Sequence, residues 1–232
     1  MYPHRSMVSQ ALRLGLVVTI VVLALSACGG EKHQKSRPQP LPENQKVLRP
    51  GEYHSEEFEP SFSFHVGKGW SSPPLEASDD LEIARGQTAG LNFANVQEVY
   101  KPTTTGSAIV VDAPKDIVGW TQQHPYLQTS KPEPVRVGGV KGVQFDVVLG
   151  DLPQTYSGTC TTIVGNPNCV DLFRLSTAEP IFLVEGDKAG VIVLEDLEGE
   201  TVTIGFFSRA SEFEEFAPEA QKVIDTVKWR GL

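Results

Sequence analysis

The side chains able to do chemistry are few and scattered along the 232 residues. A serine hydrolase needs its nucleophile on a strained strand-to-helix elbow, with His and Asp brought from elsewhere. Neither Gly106-Ser107 nor Gly158 supplies a Gly-x-Ser-x-Gly frame. His65 and His124 could still meet a serine in space. Phe62, Phe64 and Val66 claim one face of a strand pattern, which turns His65 to solvent. His124 reads as the end of a helix, where a partly protonated imidazole favours the negative end of the backbone dipoles. His54, Glu56 and Glu57 are close in sequence, with His65 a strand away. Neither His-x-His, His-Glu-x-x-His nor a hard-ion loop occurs, so no metal and no other cofactor is expected. Asp79-Asp80 and Glu195-Asp196 with Glu198 read as solvated turns. Gly138-Gly139 joins two strands rather than opening a helix, so it cradles no phosphate.

The three cysteines say more. Leu25-Ser26-Ala27-Cys28 follows the apolar run Leu14–Leu25, with His4, Arg5 and Arg13 before it and no acidic residue until Glu31. That layout is an export signal ending in what resembles a bacterial lipobox, with Cys28 as the lipidated residue of the mature chain. Met7 could also be the start. A transmembrane anchor needs roughly 20 apolar residues, and about fourteen lie between Arg13 and Cys28. A plain secretory signal cut near Ala27 would leave Cys28 as an odd thiol. With Cys28 acylated, Cys160 and Cys169 form an even pair in an oxidising compartment. A bridge would close a loop of about ten residues and stabilise the fold by roughly 2.5 to 3 kcal/mol. Two buried free thiols are the alternative. A tight turn centred on Asn166-Pro167 would set the two thiols out of register, so a bridge requires a wider loop.

The elements that must hold these residues follow from pattern. Residues 1–27 are the signal peptide, and residues 28–51 a polar, Pro-rich tether. Residues 52–232 form one domain. The chain carries 20 Lys/Arg against 29 Asp/Glu, and losing Arg5 and Arg13 takes the net charge from −9 to −11. That balance excludes nucleic acid as a partner and leaves the lipid to bind the membrane. Period-two runs at Phe62–Val66 and Leu91–Tyr100, a hairpin of Val135–Val137 and Val140–Leu149, and runs starting at Cys169, Ile181, Ala189 and Thr201 predict strands. One helix is expected from Pro114 to His124, capped by Asp112, with Ile117 and Trp120 inward. A second starts at Ser211 with capping-box spacing to Glu214, pauses at Pro218 and runs to Trp229. The fold class is α+β: a curved antiparallel sheet of about seven to nine strands, a C-terminal helix packed across it, and one additional short helix. Trp70, Trp120, Tyr126, Phe206 and Phe207 are candidates to line an apolar cleft, with core packing the competing role. Phe206 and Phe207 cannot share one face, so one of them must meet a helix, a loop or a partner.

Phe62-Ser-Phe-His-Val-Gly-Lys-Gly-Trp70, Val191–Leu194, Glu200–Ile204 and the closing segment Phe216–Trp229 together resemble PsbP-like domains, which include the mycobacterial LpqN-type lipoproteins. The resemblance covers roughly residues 52–230. It implies a binding or assembly module rather than an enzyme, and it carries over no functional residue. The segment 114–124 and the cysteine loop are additions to its pattern. The expected function is therefore a lipid-anchored extracytoplasmic binding or assembly module, facing an envelope protein as partner. A carrier of a lipid or other apolar ligand in a sheet–helix cleft is the alternative, and an envelope hydrolase the third.

Overall fold

The computed structural model describes residues 37–231 except 43, 74–75, 107–108, 165–167 and 178–179. The signal, Cys28, Ser107 and the Asn166-Pro167 turn lie outside the described residues. In chain order the elements begin with β1 (Gln39–Pro40), β2 (Gly51–His54), β3 (Phe62–Val66), β4 (Trp70–Ser71), β5 (Asp80–Arg85), β6 (Ala89–Asn95), β7 (Glu98–Tyr100) and β8 (Val110–Asp112). Helix α1 (Ile117–Gln123) leads to β9 (Leu127–Thr129), β10 (Glu133–Val137) and β11 (Val140–Leu149). A short α2 (Cys160–Val164) precedes β12 (Cys169–Arg174), β13 (Ile181–Val184), β14 (Asp187–Leu197) and β15 (Glu200–Arg209). Then come α3 (Phe213–Ile224) and β16 (Lys228–Trp229).

The fold is α+β, as expected, but the strands divide among three sheets. An open eight-stranded sheet runs β10-β11-β14-β15-β6-β5-β4, with β9 also on β11. Two four-stranded sheets, β1-β2-β3-β16 and β13-β12-β7-β8, accompany it. The run Leu91–Tyr100, expected as one strand, breaks after Asn95: β6 pairs with β15 and β5 in the large sheet, whereas β7 pairs with β12 and β8. Splitting it lets one segment serve both faces. Alternation along the strands feeds two cores: Ile192 and Leu194 enter the first, and Val193 between them enters the second. Phe93 and Ala94 divide in the same way.

Helix α3 lies over the first core because Phe213, Phe216, Ala220, Val223 and Ile224 make one buried stripe at helical spacing. Three details depart from expectation. The cap is Glu212, without a side-chain hydrogen bond, so the Ser211 box does not form. The helix runs through Pro218 without a pause, since buried residues on both sides of the proline hold it against the sheet. It stops at Ile224, where the Thr226 hydroxyl donates to the Val223 carbonyl and accepts from the His65 N–H. The chain then enters β16, which places Trp229 opposite Phe62 with ring centroids 5.0 Å apart. Helix α1 is also shorter than expected. Its cap is Asp116, whose carboxylate accepts from the Gly119 N–H at 2.7 Å, and not Asp112, which ends β8.

Part of the stretch 28–51, expected as a tether, packs on the domain. Gln39-Pro40 runs parallel to Tyr53-His54, and Leu41 and Leu48 are buried in the first core. These two leucines within a proline-rich stretch provide the apolar area that holds it down, and the edge position of β1 tolerates a proline without an N–H.

Cys160 and Cys169 are bridged, with Cα atoms 6.2 Å apart. Helix α2 begins at the first cysteine and provides the wider loop that the register argument requires. The buried carboxylate of Asp171 accepts from the backbone N–H groups of Thr159 and Cys160 at 2.6 and 2.9 Å, tying the start of α2 to β12. The double variant C160A/C169A is expected to lose about 2.5 to 3 kcal/mol of stability in a urea titration. An unchanged midpoint would mean that the bridge adds no constraint beyond the packing around it.

Candidate functional site

The five aromatic candidates do not meet in a cleft. Trp70 is 1% exposed in the first core, its ring 6.0 Å from Phe216 and 5.6 Å from the Arg85 guanidinium. Trp120 and Tyr126 belong to the second core, where Trp120 packs on Phe173 and His124, and Tyr126 on His124 and Tyr156. The Phe206-Phe207 pair resolves as two lids over glycines of neighbouring strands. Phe206 stacks on Phe213 of α3 and covers Gly190, where an added Cβ would meet its ring at 2.0 Å. Phe207, on the opposite face, covers Gly90 in the same way at 2.7 Å.

The space expected between sheet and helix is filled by the α3 stripe and its partners. At its edge a shallow cavity of about 320 Å³ is crossed by Lys188, which pairs with Asp146 at 2.9 Å and Glu214 at 3.0 Å and lies over the Phe213 ring.

The histidines are kept apart. His65 is exposed on β3, while His124 is buried in the second core, 3% exposed. The Tyr126 N–H donates to His124 Nδ1 at 3.3 Å, and Nε2 has no partner. Burial alone pulls this imidazole from 6.5 down to about 4. It is therefore neutral at physiological pH and does not serve the helix end as a cation. Burial, then the Asp171 charge, pushes the Tyr156 phenol up to about 12, so it stays protonated. His54 donates to the Pro38 carbonyl at 3.1 Å, with Glu56 3.5 Å from its other nitrogen. Among the described residues no group of three His, Cys, Asp or Glu side chains could hold a metal ion. None of the described helices is long and apolar enough to cross a membrane.

What the loops do build is a polar groove of about 580 Å³. Glu56 and Glu59 enter it from the β2–β3 loop, Asp79 from the turn before β5, Glu198 and Glu200 from the β14–β15 hairpin, and Arg230 from the residue after β16. The hairpin turns through Asp196, Glu198 and Gly199, all at positive φ. Asp79 is not a free turn residue: its carboxylate accepts from the Ser176 N–H at 2.8 Å and from the Ser176 hydroxyl. Asp80 likewise accepts from Asn92 and Thr177 at 2.8 and 2.9 Å. Asn95, at the end of β6, also lines the groove and is 5% exposed. Its Nδ2 donates weakly to the Glu59 carbonyl at 3.4 Å, and its Oδ1 has no partner. Sequence reading found the acidic turns at 79–80 and 195–198 but not their convergence, and it missed Asn95, Glu59, Glu200 and Arg230. Repeated like-signed turns were the available signal, and only the register of β6 against β5 and β15 shows that they share one end of the sheet.

No family model matches the sequence, and no curated protein does. Among solved structures, the chain is similar to the solution structure of cyanobacterial PsbP (CyanoP) from Synechocystis sp. PCC 6803. The TM-score is 0.41 at 10% identity, covering 79% of this chain and 95% of that one. It is also similar to LpqN, described as involved in cell envelope biogenesis of Mycobacterium tuberculosis. Here the TM-score is 0.36 at 11% identity, covering 78% of this chain and 85% of that one. Likeness of this degree carries no activity and no functional residue over to this chain.

Proposed function

We propose that this chain is a lipid-anchored, extracytoplasmic binding or assembly module that performs no chemistry of its own. The open groove carries the binding part of this reading: five separate chain segments bring polar side chains to one concave surface. The location rests on Leu25-Ser26-Ala27-Cys28 and the polar stretch after it. The disulfide, the buried neutral His124 and the carboxylate of Asp171 are all engaged in holding structure, which fits a module rather than an enzyme.

Two experiments test it. Replacing Cys28 with Ser is expected to move the protein from the membrane fraction to the soluble fraction, with the urea midpoint of the folded domain unchanged. Membrane retention of C28S would remove the anchor from the proposal. A photoactivatable residue in place of Gln97, on the groove wall, is expected to give a discrete adduct with an envelope protein in whole cells. Absence of any adduct under several growth conditions would overturn the assembly role.

A further inference from the structure

We infer that the β2–β3 loop is a lid on the polar groove, able to open while the domain stays folded, and that Glu76 is its latch. The base of the loop is closed. Ser55 N–H donates to the Phe62 carbonyl at 3.1 Å, next to the register that sets His54 against Ser63, and the Ser61 carbonyl accepts from Arg230 N–H at 2.9 Å. The stretch from Glu56 to Pro60 lies outside that ladder, so it can swing without unzipping β2 from β3. It supplies Glu56, Phe58, Glu59 and Pro60 to the groove lining.

The loop is held from inside by one short segment. The Ser55 hydroxyl donates to the Glu76 carboxylate, and Phe58 N–H is shared between Ser55 Oγ at 2.9 Å and Glu76 at 3.4 Å. Glu59 N–H donates to the Ser78 carbonyl at 2.9 Å, whereas Asn95 reaches the Glu59 carbonyl only at 3.4 Å. Glu76 and Ser55 are buried, and among the described residues no cation pairs with this carboxylate. Burying it is costly, and only the donors of the closed loop offset that cost. Opening returns Glu76 to water but withdraws the fully buried Phe58 ring from its edge-on contact with Phe62, 5.5 Å away. These opposed terms make the open loop a minor state, separate from global unfolding. Opening removes one wall of the groove, so a partner seated against that wall holds the loop shut. The inference rests on the module reading only in treating the groove as a contact surface.

Native-state hydrogen exchange of the full chain in low urea, read at single amides by NMR, tests it without any variant. Phe58 and Glu59 are expected to exchange through an opening that barely depends on urea, while Tyr53 and Phe64, paired in the ladder, exchange only by the urea-sensitive global route. Two variants separate the routes. E76A should speed Phe58 about 30-fold, the loss of a charged buried hydrogen bond, and E76Q, which keeps an acceptor oxygen, should restore most of the protection. I204V, in the first core away from the loop, should speed Tyr53 and Phe64 and leave Phe58 unchanged. Phe58 and Tyr53 exchanging together at every urea concentration, a Phe58 rate that follows I204V, or no response of Phe58 to E76A would each overturn the inference. If the loop opens alone but no Gln97 adduct forms, the module reading falls and the lid stands; an adduct with no separate opening gives the reverse.

Discussion

Trp70→Ala is expected to lower the unfolding free energy by about 4 kcal/mol, the range for truncating a large ring in a closed core. The indole is almost wholly inaccessible, and Phe216 and Arg85 take its shape from two sides. Its own carbonyl accepts from the Leu48 N–H at 2.8 Å, so the cavity would open beside the segment that pins the amino-terminal stretch to the domain. Urea titration of W70A and W70F measures the effect, with the phenylalanine variant retaining part of the loss because it refills the space. Were the indole instead lining a ligand cleft, W70A would stay within about 0.5 kcal/mol of the parent and lose binding. That result would undo the assignment of Trp70 to the core.

Acid should destabilise the protein through His124. In the unfolded chain this imidazole takes up a proton near pH 6.5, whereas in the folded core it resists until about pH 4. Protons thus bind the unfolded state more readily throughout that window. The contribution of His124 is complete above about pH 6.5 and is lost progressively as the pH falls to 4, reaching roughly 3 kcal/mol. Stability measured in urea at pH 7.5, 5.5 and 4 should decline along this curve, and H124Q, which has no proton to take up, should flatten it. A parallel decline in H124Q would move the acid sensitivity to the carboxylates. The loss is a property of the second core, because Trp120 and Tyr126 close around the ring and its Nε2 has no partner to share a charge.

Much of the architecture was legible in periodicity. The strand at Phe62–Val66, the diglycine hairpin and the Phe213–Ile224 stripe all stand where alternation or helical spacing put them. Pattern failed where partners far away in sequence decide. Lys228-Trp229 continues an apolar stripe on paper, yet Ser63 and Phe62 offer backbone groups that a helix there would leave unused. Leu41 and Leu48 are too sparse to register as an element, and only the presence of β2 and Trp70 makes their burial possible. Turn residues expose the same blind spot: Asp79 and Asp80 have ordinary turn chemistry locally but are anchored by Ser176 and Thr177 nearly a hundred positions on. The groove is legible least of all, because each of its acids is unremarkable until three loops arrive at one place.

The pairing of β3 with β16 also bears on how the chain is made. A polypeptide delivered amino end first, from a ribosome or through a translocation channel, presents Phe62–Val66 long before Lys228-Trp229 exists to receive it. Contacts of such sequence separation are entropically late. The small sheet therefore acts as a completion check: until the final residues emerge, Phe62 lacks the cover of the Trp229 ring, and the Trp229 N–H that seals the β10–β11 hairpin at Val137 is missing. A chain cut short before residue 228 would lack both the ring that covers Phe62 and the indole N–H that holds the Val137 carbonyl.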